Sequence, residues 1–178
     1  MCFVPEKRLG HSAAPDMSLW ENAILSARTR MGLERWGFLD LAKAKSFAGE
    51  VVKAFNVKTA GVGQAAKSLS GGNLQKFVMG REILQTPQVL IVSQPTWGVD
   101  AGAAEVIHQA IFDLAAEGAA IVVISQDLDE LMSISSSFAV IANGRLSPVR
   151  PTCEVTVEEV GLLMGGDGGA GSAEFADA

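Results

Sequence analysis

Two textures of apolar spacing divide the chain. From about Ser18 to Leu84 apolar residues recur at helical intervals, whereas from Val89 to Val140 short continuous apolar runs alternate with helical stretches. The first half is therefore expected to be helical and the second α/β. Ser18-Leu19-Trp20-Glu21 forms a capping box, which predicts a helix over about 19–29. Asp40 can cap a second helix whose apolar residues Leu41, Phe47, Val51, Val52 and Phe55 share a stripe ending before Asn56. Ser70 can cap a third, running through Leu74, Phe77, Val78 and Ile83 to the break at Pro87. Beyond it, Val89–Val92 and Ala120–Ile124 are β-branched runs without polar alternation, the texture of parallel strands buried on both faces. Val106, Ile107, Ala110, Ile111 and Leu114 mark one face of the intervening helix, which stops at Gly118. A short helix near Leu128–Met132 leads to the run Phe138–Ala142, which Asn143-Gly144 turns into a partner strand at Arg145-Leu146. Thr156 restarts a helix that ends at Gly165-Gly166, and the Gly-, Ala- and acid-rich residues from Asp167 on are expected to be disordered.

Composition narrows the function classes. The 178 residues carry 14 basic and 20 acidic side chains, a net charge of −6, which argues against nucleic acid as a partner because phosphate neutralisation needs a basic stripe. The longest purely apolar stretch, Ala119–Ile124, is far short of the roughly 20 residues of a membrane-spanning helix. Cys2 and Cys153 make no disulfide framework, and the first residues lack the charged and apolar regions of a secretory signal, so a cytoplasmic location is expected. His11 and His108 have no second ligand at metal spacing, and no metal site is expected. Trp20 and Trp36 are expected to pack within the helical half, and Asp127, Asp129 and Glu130 to favour the start of a helix.

The segment Leu69-Ser70-Gly71-Gly72-Asn73-Leu74-Gln75-Lys76 carries the most chemistry. A serine cap, two glycines that admit a close neighbour and the unpaired amides of a first helical turn together make an anion-binding helix start. The same residues also suit a capped helix start with flexible glycines and no ligand. No G-x-x-x-x-G-K-S/T phosphate loop occurs in the 178 residues; Gly61-Val62-Gly63 lacks the spacing and the lysine, and Gly71-Gly72 is followed by Asn73.

Order and spacing add what single motifs lack. Leu69–Lys76 is followed by Val89-Leu90-Ile91-Val92-Ser93-Gln94, then Trp97-Gly98-Val99-Asp100, and, after one helix and one strand, Ser125-Gln126-Asp127. This series resembles the ATP-binding cassette of ABC transporters, collinearly over residues 3–146. Leu69–Lys76 is similar to the family's signature motif, Val89–Gln94 to its Walker B strand and Trp97–Asp100 to its D-loop. Gln126 stands at the switch-histidine position and Glu6, in Phe3-Val4-Pro5-Glu6, at the Q-loop glutamine. Asn73, the run Gln94–Ala103 and Met164-Gly165-Gly166 resemble the second cassette of tandem ATPases that serve simple-sugar and nucleoside importers, and the neutral Ser93-Gln94 pair resembles the nucleoside type.

The resemblance implies an α/β chain with a partial P-loop NTPase fold of the ABC type and a helical subdomain, without the Walker A strand and loop. Residues 1–87 would hold the Q-loop region, helical subdomain and signature; 88–150 the α/β core; 151–166 a C-terminal helix; 167–178 the tail. It implies that Ser70, Gly71, Gly72 and Gln75 bind nucleotide held by another cassette, that Asp100 joins the two, and that ATP and Mg2+ serve the full assembly. Implied partners are a second ABC nucleotide-binding domain and transmembrane permease subunits, at the cytoplasmic face of a membrane. Ser93 replaces the aspartate that helps hold Mg2+, Gln94 the glutamate that polarises water, and Gln126 the histidine. A hydroxyl is a poor Mg2+ anchor and an amide cannot take a proton, so this chain alone is expected not to hydrolyse ATP. As the carboxy-terminal portion of a second cassette, it is expected to leave the strands at Val89 and Ala120 each short of a neighbour, with an apolar edge. Two alternatives stand beside this: a non-catalytic interaction or regulatory module that keeps part of the fold, and a soluble ABC protein of ribosomes or DNA, which the acidic balance disfavours.

Overall fold

The computed structural model describes residues 1–165, and the expected tail from Asp167 lies outside them. In chain order the elements are β1 (Cys2–Val4), α1 (Leu19–Ala27), β2 (Glu34–Arg35), β3 (Phe38–Leu39), α2 (Leu41–Ala54), α3 (Gly71–Ile83), β4 (Val89–Ser93), α4 (Ala101–Ala116), β5 (Ala120–Ile124), α5 (Leu128–Ile134), β6 (Ser137–Phe138), β7 (Ile141–Ala142), β8 (Arg145–Leu146), β9 (Arg150–Pro151) and α6 (Val157–Gly165). The chain divides after Ile124 into two compact units. The division expected at 87/88 is not where packing breaks. Phe77 and Met79 of α3 share one buried core with Leu90 and Val92 of β4, so the helical and strand-bearing stretches cannot separate.

In the first unit, β1, β4 and β5 form a parallel sheet with β4 in the middle, Val4 opposite Val92 and Val92 opposite Val123. The expectation that both β4 and β5 lack a neighbour is thus corrected: β1 fills one side of β4, and of the two only β5 is an edge, with β1 the edge opposite. The burial expectation is corrected as well. Leu90 and Val92 are fully buried on one face, but β5 is covered on neither face completely, and Val122 and Ile124 are each 50% exposed. The β-branched run encoded the strand, while its cover depends on elements remote in sequence.

Helix α3 is the centre of the unit, packed by α1, α2, α4 and β1. Every residue from Leu74 to Ile83 is buried, including Gln75, Lys76, Arg81 and Glu82. Such a helix has no polar face, so each buried polar group needs an internal partner. Arg81 Nε donates to Glu82 Oε1 at 2.7 Å, and its terminal nitrogens donate to the carbonyls of Asn22 (3.1 Å) and Ser12 (2.8 Å). No buried side-chain nitrogen or oxygen among the described residues lacks a partner. Gly80 lets α2 come close: a Cβ there would lie 2.8 Å from Phe55 Cγ and nearer still to Cδ2.

The sequence-encoded caps are present. Ser18 and Glu21 close a complete capping box, and Asp40, Ser70, Asp100 and Asp127 each accept the amide three residues ahead. Trp36 differs from expectation. It is 87% exposed at φ 58°, beside Gly37 at φ 82°, because the two residues form the left-handed turn of the β2–β3 hairpin, which points their side chains outward. Trp20 is half-buried against the core, with Lys45 Nζ 5.4 Å from its ring centre.

The second unit holds α5, α6 and two antiparallel pairs around Phe138, Val140, Val155 and Val160. The β7–β8 hairpin turns at Asn143-Gly144 as expected, whereas Ser137–Phe138 splits off to pair with Arg150–Pro151.

Candidate functional site

The start of α3 and the turn before α4 face each other in the first unit. Lys58, Ser70, Gly71, Gly72, Asn73, Lys76, Gly98, Val99 and Asp100 line one open concavity of about 390 Å3. The second glycine is what admits the turn. A Cβ on Gly72 would lie 3.1 Å from the Gly98 carbonyl oxygen, a contact that forces a shift of a few tenths of an ångström, and 3.6 Å from Val99 Cα, in ordinary van der Waals contact. The approach of another backbone, one of two reasons for the glycine pair, is thus met within the chain itself.

Hydrogen bonding sets the polarity of the Ser70 hydroxyl. The Lys58 amide donates to Asn73 Oδ1 at 2.9 Å, which turns Asn73 Nδ2 toward Ser70 Oγ, also at 2.9 Å. The Asn73 amide donates to the same oxygen at 3.4 Å. With both acceptor positions of Oγ engaged, its hydrogen remains to be donated outward. The concavity thus offers a hydroxyl donor, first-turn amides at the positive end of a helix dipole, and two lysines against the single carboxylate of Asp100. Lys76 Nζ donates to the Asn56 carbonyl at 2.8 Å. This donor set suits an anion such as a phosphate. Asp100 is partly committed, since its Oδ1 caps α4 through the Ala103 amide at 3.0 Å.

Gln75 lies apart from this surface. It is 2% exposed and points inward, where Nε2 donates to the carbonyls of Gln94 (3.1 Å) and Pro95 (2.8 Å). Its Oε1 accepts Arg8 Nε at 3.0 Å, and Arg8 Nη2 donates to the Trp97 carbonyl. Burial pushes the Arg8 guanidinium pKa below its ordinary value. Sequence reasoning missed Arg8, Lys58 and Lys76. A single arginine in a loop has no periodicity to reveal it; Lys58 reaches the site only because the loop after α2 is tied to Asn73, and Lys76 lies one turn along α3 from the tip.

Ser93 ends β4 half-buried, and Gln94 follows it, buried, at φ 54°, with its amide donating to the Ile124 carbonyl at 2.8 Å. A left-handed glutamine at the carboxyl end of a parallel strand is an uncommon backbone state of the kind found at functional sites. These two residues present no carboxylate, so the donor set there does not fit Mg2+. Glu6 is exposed in the loop after β1 and does not line the concavity. Gln126 is exposed in the second unit, before the Asp127 cap. Among the described residues no group of three or more His, Cys, Asp or Glu side chains could hold a metal ion. A separate groove of about 520 Å3 lies beside α1, with Phe3, Pro5 and Leu25 on its walls and Arg81 and Glu82 below. No helix among the described residues is long and apolar enough to cross a membrane.

No family model matches the chain. It is 41% identical over 163 residues to the nucleoside import ATP-binding protein NupA of Lactococcus lactis, covering 92% of this chain and 32% of that protein. It is 40% identical over 161 residues to the ribose import ATP-binding protein RbsA 1 of Streptomyces avermitilis, covering 90% and 30%. The chain thus spans about a third of the length of these relatives. Among solved structures, an ATP-binding subunit of an ABC transporter superposes with a TM-score of 0.72 at 18% identity, covering 92% of this chain and 68% of that one. A dimeric ATP-binding cassette in a post-hydrolysis state with ADP and Pi gives 0.68 at 20%, covering 84% and 62%. At these identities the structural matches establish the fold.

Proposed function

The chain belongs to the ATP-binding cassette ATPases, and we propose that it supplies the signature-bearing surface of a composite ATP site in an importer of nucleosides or simple sugars. The observation that carries the proposal is the concavity where the α3 start faces Gly98–Asp100, with donors that match a phosphate and a single carboxylate, Asp100, that already caps α4. Its role is therefore to bind and orient. Ser70 donates its hydroxyl, the amides after it and the lysines add positive potential, and Asp100 faces the opposing cassette. Bound ATP supplies the phosphoryl group; this chain's residues hold it in place and exclude water from its far side.

The chain's own strand-end site has a different standing. Ser93 and Gln94 lack the carboxylates of a hydrolytic centre, which supports a site that does not turn over. Pairing of unequal sites explains how a cassette can lose its own chemistry and still serve its partner. In this reading the chain works at the cytoplasmic face of a membrane, with a second cassette and permease subunits as partners, and the apolar walls of the Phe3–Leu25 groove are where a permease segment would dock. The relatives' names favour nucleosides or sugars as cargo. The absent carboxylates also favour a second reading, a regulatory module without catalysis.

Ser70→Arg in the assembled ATPase separates the two. The first reading expects turnover to fall to background while thermal melting is retained, because an arginine fills the phosphate-facing space from an exposed cap. Turnover equal to the unmodified assembly would refute it and leave the regulatory reading.

A further inference from the structure

Arg8 stands in the loop after β1, two residues beyond Glu6, and its guanidinium reaches two separate segments. Nε donates to Gln75 Oε1 on α3 at 3.0 Å and Nη2 to the Trp97 carbonyl. The terminal nitrogens also lie where side chains at two glycines would project. A Cβ on Gly71 would sit 2.9 Å from Nη1, and one on Gly98 3.2 Å from Nη2. Gly71, whose openness would otherwise be assigned to a ligand alone, is thus filled from within the chain. Gln75 extends the network by donating to the carbonyls of Gln94 and Pro95. One guanidinium and one carboxamide thereby tie the α3 start to both ends of the 94–98 turn.

We propose that Arg8 is a positioning residue that fixes the separation between the Ser70–Asn73 tip and the Gly98–Asp100 turn, so that both faces of the anion-binding concavity stand ready before a ligand arrives. Its partners are neutral acceptors, and it forms no ion pair among the described residues. The restraint is therefore directional and depends on the forked shape of guanidinium rather than on charge alone. Arg8 stands behind the glycines and is not among the residues lining the concavity. Loss of the restraint should misplace donors without removing one, and misplacement by about 1 Å can cost up to ~100-fold in rate.

This inference rests on the composite-site reading, and its test uses the assembled ATPase with Ser70→Arg as the control for that reading. Arg8→Ala is expected to lower kcat about tenfold or more while leaving KM for ATP within about twofold. Arg8→Lys should not restore the rate, since an ammonium cannot bridge two acceptors in the same fork. Arg8→Ala combined with Gln75→Ala should lose no more than the worse single variant, because the two act as one unit. If Ser70→Arg abolishes turnover but Arg8→Ala leaves kcat unchanged, the positioning role is wrong and the composite site stands. Full rescue by Arg8→Lys, a matching rise in KM, or loss of cooperative melting in both Arg8 variants would equally overturn it. Unchanged turnover in Ser70→Arg removes the composite-site reading itself.

Discussion

Gly80→Ala tests how α2 and α3 share space. In a solvent-facing helix this change should stabilise by about 1 kcal/mol, because alanine restricts the unfolded chain and favours helix. At Gly80 the new methyl would meet the Phe55 ring, with Cγ at 2.8 Å and Cε2 at 2.9 Å, well inside van der Waals contact. Phe55 is 3% exposed and has no open side to which the ring can retreat. Overpacking of this kind costs about 1–3 kcal/mol, which cancels the helix gain and leaves the variant less stable by up to about 2 kcal/mol. Gly49, on α2, is the control: nothing lies within 4 Å of a Cβ there, so Gly49→Ala should gain roughly the full propensity term. Urea unfolding followed by tryptophan fluorescence is the assay, since Trp20, Trp36 and Trp97 all belong to the first unit and report it alone. In a Phe55→Leu background, where a smaller side chain can turn aside, the Gly80→Ala penalty should shrink or change sign. A Gly80→Ala variant stabilised as much as Gly49→Ala, or a penalty undiminished in the Phe55→Leu background, would refute the packing argument.

Asn73→Asp should lower turnover of the assembled ATPase more than Asn73→Ala, because a carboxylate beside Ser70 captures the hydroxyl hydrogen and repels a phosphate; equal rates in the two variants would contradict the donor assignment. The Cys2 thiol pKa is pushed up to about 11, first by burial and then by the neighbouring Glu82 charge. Cys2 should therefore stay unmodified when the folded chain is alkylated at pH 8, while exposed Cys153 reacts, a difference read directly by mass spectrometry. Because the unfolded thiol ionises first, near 9, this contribution to stability should be full below pH 9 and fade as pH rises toward 11.

What could be read from sequence was local. Ser18, Asp40, Ser70 and Asp127 announce their helices because a cap acts on an amide three residues away, and Asn143-Gly144 sets its hairpin by the same short-range logic. The α3 tip was legible for that reason too. What escaped depends on partners distant in the chain. Gln75 looks like part of the tip in sequence, yet the helix turns it inward toward Gln94 and Pro95, nineteen and twenty residues on. Arg8 finds its partners 67 and 89 residues away. Arg81 and Glu82 break the apolar pattern of α3, and only the packed elements around them show that charge inside a core can be satisfied. The β6–β9 pair, two residues a side and separated by the β7–β8 hairpin, has too little length to leave a period. Trp36 shows the reverse error, an aromatic assigned to the core by its hydrophobicity and turned outward by the geometry of a two-residue turn.

The central claim is that the Ser70–Asn73 tip meets a nucleotide held by another cassette. ATP carrying a photoreactive group on its γ-phosphate, trapped in the assembled ATPase and irradiated, tests it most directly. Trypsin releases residues 68–76 as a single peptide bounded by Lys67 and Lys76. Covalent label on that peptide is the expected result, with none on 68–70 or 71–76, the two fragments into which the new arginine divides it, in the Ser70→Arg assembly. Label confined to the opposing cassette, with none on residues 68–76, would contradict the account.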